Sequence, residues 1–361
     1  MTPFGPVPVS VLTGFLGSGK TTLLNRLLRD PELTDTAVII NEFGDVSIDH
    51  LLVETSSDGV IELADGCLCC TVRGELVDTL ADLIDRLQTG RIKRLARVVV
   101  ETTGLADPVP VLQSLMAHPV LAQAYRLDGV VTLVDAVNSA ATLDRHPEAL
   151  KQIAVADRLV ISKSDLTEPT VVRSLKARLR TLNPSATILD VEDASAAALF
   201  DAGLYDPKTK SADVVRWLGE AAHEHDHHHH DHGHDHHHDA RIGSFSLTYD
   251  QPIPYASLEM FLDLLRSIHG EQLLRLKGVV QIAEQPSRPV VIHGVQKLLH
   301  PIARLAAWPA GQSGGTRLVI IGFDLAEEHV RRLFAAITNQ PGIDQPDNAA
   351  LRDNPLAIAG M

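Results

Sequence analysis

Cysteine, aromatic residues and positive charge are all scarce in this chain, and each scarcity excludes something. Three cysteines occur among 361 residues, all crowded between positions 67 and 70, so a disulfide framework is excluded. Aromatic residues make up 4%, which leaves no stacking platforms for bases. The formal net charge is -14, which disfavours a nucleic-acid partner. No run approaches the ~18 consecutive apolar residues of a membrane span, so no membrane partner is expected. The sequence passes from "MTPFGPVP" directly into an apolar strand, without a cationic-then-apolar leader, and a cytoplasmic protein is expected. What is abundant is apolar residue content: 45% of the chain is hydrophobic, enough for the cores of two domains.

The stretch "GFLGSGKTT", residues 14–22, fits G-x-x-x-x-G-K-[ST]. A β-branched run, "VPVSVLT", precedes it and a run apolar at helical spacing, "TTLLNRLLRD", follows it. Strand, glycine-rich turn and helix form the context that makes this pattern a phosphate cradle. The glycines Gly14, Gly17 and Gly19 would let backbone N–H groups close around the β-phosphate at a helix N-terminus. Lys20 would neutralise the β- and γ-phosphate oxygens, and the Thr21 hydroxyl would ligate Mg²⁺.

Short β-branched runs then alternate with longer amphipathic ones. Strands are expected at residues 7–13, 37–41, 98–101, 130–134, 159–162 and 187–189, with helices at 21–29, 75–88 and 171–182. That alternation implies an α/β fold, a mostly parallel P-loop sheet with helices on both faces. Beyond it, "RIGSFSLTY", "SLEMFLDLLRSI", "LLRLKGVVQI" and "TRLVIIGF" read as strand, helix, strand, strand, a smaller α+β C-terminal domain. The expected divisions are 1–200 for the nucleotide domain, 201–240 for a linker, 241–340 for the second domain and 341–361 for a tail.

Two later segments bear on which nucleotide is bound and cleaved. "VVVETTG" puts Glu101 at the carboxyl end of a buried strand, where it could hold Mg²⁺ through water or position the attacking water. The turn 102–104 follows, where a γ-phosphate sensor would lie. "LVISKSD" ends another strand with Ser162, Lys163 and Asp165, a variant of N-K-x-D with Ser in place of Asn. Asp165 could accept both N1–H and the exocyclic amine of guanine, a donor pair adenine lacks, and the stem of Lys163 could pack on the base plane. GTP is therefore expected over ATP.

"ELADGCLCC" holds Cys67, Cys69 and Cys70. Three thiolates supply three corners of a tetrahedron and leave the fourth to Glu, His, water or another protein. Soft sulfur selects Zn²⁺ or Cu(I) over hard cations. Glu42, in "NEFG", and Glu62 are candidate fourth ligands, and Asp49, in "DVSID", could reach the nucleotide's magnesium. Eleven of the sixteen residues from His223 to His238 are histidine, interleaved with Asp and Glu. Such a tract cannot bury a core, but dense imidazoles make it a metal-collecting tether of little selectivity. His118, His146, His269, His293 and His300 are read as structural or surface groups without a metal role.

"GFLGSGKTT", "NEFG", "GCLCC", "ETTGLADP" and "SKSD", in this order, resemble the CobW-type P-loop GTPases, metal-handling proteins related to the nickel-insertion GTPases of urease and hydrogenase. The resemblance covers nearly the whole chain. It implies slow GTP hydrolysis coupled to loading zinc from the Cys-x-Cys-Cys loop into client zinc metalloenzymes, with a homodimer left open. It also implies phosphate and magnesium contacts from Gly17 through Thr22, metal ligation by Cys67, Cys69 and Cys70, and guanine reading by Asp165. Members also serve cobalt handling for cobalamin synthesis and metal supply to nitrile hydratase. The expectation is a GTP-dependent zinc metallochaperone using GTP, Mg²⁺ and Zn²⁺. Its rivals are a cobalt chaperone, a GTP-regulated metal buffer without transfer, and a P-loop kinase.

Overall fold

A computed structural model describes residues 5–41, 60–62, 72–200, 241–300, 302–308 and 314–338. Its first sheet contains β1 (Val7–Gly14), β2 (Thr36–Asn41), β3 (Val60–Glu62), β4 (Arg97–Thr102), β5 (Tyr125–Asp135), β6 (Arg158–Ser162) and β7 (Thr187–Asp190). The strand order is β3-β2-β4-β1-β5-β6-β7, and every neighbouring pair is parallel. β1 and β4 are buried along almost their entire length, as strands covered on both faces must be. Alternation sends Val9, Val11, Val98 and Val100 into one core and Leu12, Val99, Val131 and Val160 into the other.

The first core is closed by Leu80 and Leu83 of α2 (Val72–Gln88), Leu112 of α3 (Val109–Ala117) and Leu121 of α4 (Pro119–Ala124). The second is closed by Leu23, Leu24 and Leu27 of α1 (Lys20–Leu27). Two further helices, α5 (Ser139–Arg145) and α6 (Pro147–Ala154), follow β5, and α7 (Pro169–Leu182) follows β6. A short α8 (Ala196–Leu199) ends this part of the chain. The expected strands and the three expected helices are present. β3 and helices α3 to α6 are additional: the strand is three residues long, and each of those helices has nine residues or fewer.

The C-terminal domain is a six-stranded antiparallel sheet of β8 (Ile242–Tyr249), β9 (Leu273–Val280), β10 (Val290–Val295), β11 (Leu298–Leu299), β12 (Ala303–Arg304) and β13 (Thr316–Phe323). Helices α9 (Tyr255–His269) and α10 (Glu327–Ile337) cover one face through Phe261, Leu265 and Phe334, against Leu276, Ile292, Leu318 and Ile320. The opposite face meets the parallel-sheet domain: Ile242, Leu274 and Ile321 share a core with Ile153, Leu159, Ile161 and Leu179. The two domains are thus packed through a common apolar layer.

Arg275 and Lys277, two residues apart on β9, carry charge into this interface, and His293 of β10 stands opposite Lys277 in register. Both cations reach the Oδ1 of Asp157 at 2.5 Å, and all three side chains are at most 2% exposed. Burial would raise the pKa of Asp157, but the charges of Arg275 and Lys277 hold it far below the usual carboxylate range. Burial lowers Lys277 to about 8 and His293 to about 4, and it pushes His300 down as well. His293 and His300 stack with ring centroids 4.9 Å apart. The structural role expected for these two histidines is what their packing shows.

Candidate nucleotide site

Because the first sheet is parallel, the carboxyl ends of its strands share one edge. Chain order reverses beside β1, whose neighbours are β4 and β5, and open α/β sheets bind ligands at such a point. β1 ends at Gly14, residues 15–19 turn, and α1 begins at Lys20. Gly14 has φ 145°, and a Cβ there would lie 2.6 Å from the Leu133 carbonyl oxygen, so no larger residue fits. Gly19 caps α1 in the left-handed region, with φ 93°, directing the first N–H groups of the helix toward the loop.

Polar groups converge on this loop. Lys20 Nζ donates to the carbonyls of Gly14 at 3.0 Å and Phe15 at 3.4 Å, folded over the loop it would neutralise. The half-buried Thr21 donates its hydroxyl to Glu101 Oε1 at 3.1 Å. Glu101 is 5% exposed at the end of β4, and the next residue, Thr102, donates to Thr13 Oγ1 at 2.7 Å. Among the described residues, the side-chain oxygens of Ser18 and Thr103 are buried without a hydrogen-bond partner, the condition of groups that a bound ligand satisfies. Thr22 is exposed one residue further along α1.

The segment at the end of β6 is tied to the same loop. Ser162 donates its hydroxyl to the Ser18 carbonyl at 2.7 Å, so serine in place of asparagine still anchors the phosphate loop. Lys163 occupies the left-handed region at φ 58°, and its Nζ donates to the Gly17 carbonyl and to Asp135 Oδ2, both at 2.8 Å. Asp165 is exposed in the turn Ser164–Leu166 that follows.

Asp135 and Gln152 belong to this constellation and escaped the sequence reading. Burial would raise the Asp135 pKa, but hydrogen bonds from Lys163 and Asn138 hold it below the usual value. Gln152, 1% exposed on α6, donates its side-chain N–H groups to the carbonyls of Gly104 and Ala106. The signals existed: an acidic residue at the end of the run "VVTLVD", and a Lys-Gln pair inside the otherwise apolar "ALKQIAVA".

Gly14, Gly17, Ser18, Gly19, Lys20, Thr21, Thr22, Glu101, Ser162, Lys163 and Asp165 therefore come together at one sheet edge. Cys67, Cys69, Cys70, Glu42, Asp49 and the histidine tract lie outside the described residues, and Glu62 is described only as the last position of β3. The thiol run falls between β3, which ends at Glu62, and α2, which begins at Val72. Glu42 follows directly on the carboxyl end of β2.

A parallel sheet of this order, a glycine cradle with its lysine and threonine, and a strand-end S-K-x-D tied to that cradle define a P-loop GTPase. The family model for the CobW/HypB/UreG nucleotide-binding domain matches residues 8–190, and that for the cobalamin synthesis protein cobW C-terminal domain matches 242–338. The zinc chaperone YjiA of Escherichia coli is 34% identical over 340 residues, covering 92% of this chain and 99% of that protein. The zinc chaperone CobW of a Sinorhizobium species is 30% identical over 364 residues, covering 92% and 98%. The crystal structure of Zn(II)-bound YjiA GTPase from E. coli superposes with a TM-score of 0.66 at 30% identity, covering 92% of this chain and 99% of that one. The chain belongs to the CobW/HypB/UreG family.

Proposed function

We propose that this protein is a GTP-dependent zinc chaperone, which hydrolyses GTP and passes zinc from Cys67, Cys69 and Cys70 to client metalloproteins. The observation that carries this reading is the position of the thiol run in the chain. It is joined on one side to β3, in the same sheet whose edge bears the phosphate loop, and on the other to α2, in a chain similar over 92% of its length to proteins named zinc chaperones.

The residues at the sheet edge fit magnesium nucleotide. The backbone N–H groups at the start of α1 and the Lys20 ammonium bind the β- and γ-phosphates, and Asp165 accepts from guanine. Thr21 and Glu101, already joined by a hydrogen bond, would hold Mg²⁺, which offsets the charge that builds on the leaving diphosphate. Ser162 and Lys163 fix the loop from beneath through the carbonyls of Ser18 and Gly17. Zinc is the cargo. Three thiolates hold it, and Glu42, the next residue in the sequence after β2, offers a fourth ligand. The segments joining β2 and β3 to the next elements link the two sites in the chain, so nucleotide binding would alter zinc affinity.

The test is zinc affinity, by competition with a chelating dye, in nucleotide-free, GDP-bound and GTP-analogue-bound protein, together with zinc delivery to apo-metalloenzymes. Affinities differing about 5- to 150-fold between states, with delivery that requires GTP, are expected. Equal affinities and no delivery would leave a metal buffer, and preference for Co²⁺ under competition would indicate a cobalt chaperone.

A further inference from the structure

Helix α6 grips the turn that follows Glu101. Gln152 Nε2 donates to the Gly104 carbonyl at 3.2 Å and to the Ala106 carbonyl at 3.0 Å. The neighbouring Lys151 reaches Asp107 Oδ2 at 3.3 Å. Gln152 is itself fixed, because its own carbonyl accepts the Thr132 hydroxyl at 2.8 Å from β5. The turn lies directly on the phosphate loop: a Cβ at Gly104 would fall 2.7 Å from the Leu16 nitrogen and 2.8 Å from its Cα. Thr103, one residue earlier, has its buried hydroxyl without a hydrogen-bond partner among the described residues.

The residues that directly follow Gln152 are held just as closely. The Asn183 side-chain amide donates to the carbonyls of Ile153 at 2.8 Å, Ala154 at 3.2 Å and Ala156 at 2.9 Å. The next residue is Asp157, which takes Arg275 and Lys277 of the C-terminal domain. Four residues therefore separate a side chain clamped on the turn beside the phosphate loop from one clamped by the second domain.

We propose that Gln152 is a positioning residue for GTP hydrolysis, and that α6 makes the C-terminal domain part of that positioning. By holding two carbonyls of the turn, Gln152 fixes how Thr103 and Gly104 face the γ-phosphate. The grip of Arg275 on Asp157 fixes where α6 sits, and with it Gln152. The proposal rests on the assignment of the nucleotide to the loop at Lys20. A nucleoside diphosphate lacks the group that the turn faces, so the effect of Gln152 is confined to the triphosphate.

The experiment uses the full-length protein with Gln152→Met, of similar length but unable to donate, and Gln152→Glu, which sets a carboxylate against two carbonyls. Fluorescent GDP and a non-hydrolysable GTP analogue are titrated, GTP turnover is split into kcat and KM, and melting is recorded. Both variants should lower kcat about tenfold and weaken the analogue relative to GDP, with GDP affinity unchanged within about twofold. Equal weakening of GDP and analogue would show a merely structural role, and unchanged turnover would also overturn the proposal. Asp157→Asn and Arg275→Lys should move the analogue-to-GDP ratio in the same direction; Arg275→Lys serves alone if the aspartate variant does not fold. A ratio untouched by Arg275→Lys while Gln152→Met shifts it would overturn the part played by the C-terminal domain. Lys20→Ala separates the two levels. If it still binds both nucleotides at full strength, the phosphate-loop assignment has failed; if it loses them while Gln152→Met is inert, only the present proposal has failed.

Discussion

Asp157 and Arg275 stand 118 residues apart in the chain and meet in a buried hydrogen bond of 2.5 Å that joins the two domains. Lys277 approaches the same carboxylate oxygen, so one aspartate serves two buried cations. The Val130 N–H, at 2.9 Å, occupies the other oxygen. The anion is thus held by both domains at once.

This stoichiometry predicts an asymmetry. Asp157→Asn leaves two buried cations facing an amide and should cost about 3–5 kcal/mol, because an uncompensated charge stays in an apolar interface. Lys277→Met keeps the Arg275–Asp157 pair and most of the buried stem, and its effect should stay within about 1 kcal/mol. Denaturant unfolding of the two variants checks this. Equal losses would mean that the second cation matters as much as the anion.

The same cluster sets an acid limit. Burial lowers His293 to about 4 from an ordinary 6.5, and His300 shifts in the same direction, while Asp157, Arg275 and Lys277 face them. A depressed folded-state pKa contributes stability above the unfolded value, and that contribution is lost as pH falls through the window toward the folded value. Stability should therefore decline between about pH 6.5 and pH 4, by up to about 3 kcal/mol for His293. The loss of the Asp157 contribution follows at still lower pH. Melting temperature measured against pH, for the native chain and for His293→Gln, provides the test; the variant should show a flatter profile across that window.

Asp165→Asn should move preference from GTP toward XTP, since an amide donor would then face the xanthine carbonyl. The GTP preference should fall by about two orders of magnitude, the scale on which a site penalises a mismatched polar group. Competition between the two nucleotides measures it, and retained GTP preference would place the guanine reader elsewhere.

Deleting residues 224–239 should remove several weak metal sites and leave the tightest one in place, because a run of imidazoles discriminates little between metals while clustered thiolates select soft ones. Zinc titration of the deleted protein against a competing chelator measures both classes. Loss of the tight site would assign the primary ligands to the tract.

Local chemistry made much of this molecule legible from its sequence. The phosphate loop is a contiguous string whose glycines answer a backbone need, and strands such as β13 are β-branched runs whose burial follows from their composition. The strand-end S-K-x-D works through a turn of a few residues. Helices α3 to α6 were not legible, because none exceeds nine residues, too few turns for a helical period, and none follows a motif that announces a helix as the phosphate loop announces the eight-residue α1. Tertiary structure alone decided that Gln152 would hold the turn at Gly104, and that Asp157 would receive Arg275 and Lys277. In the sequence these are ordinary polar residues. Parallel crossovers and domain packing bring them together over 48 and 118 residues, and burial then makes each unpaired alternative costly enough to fix the arrangement.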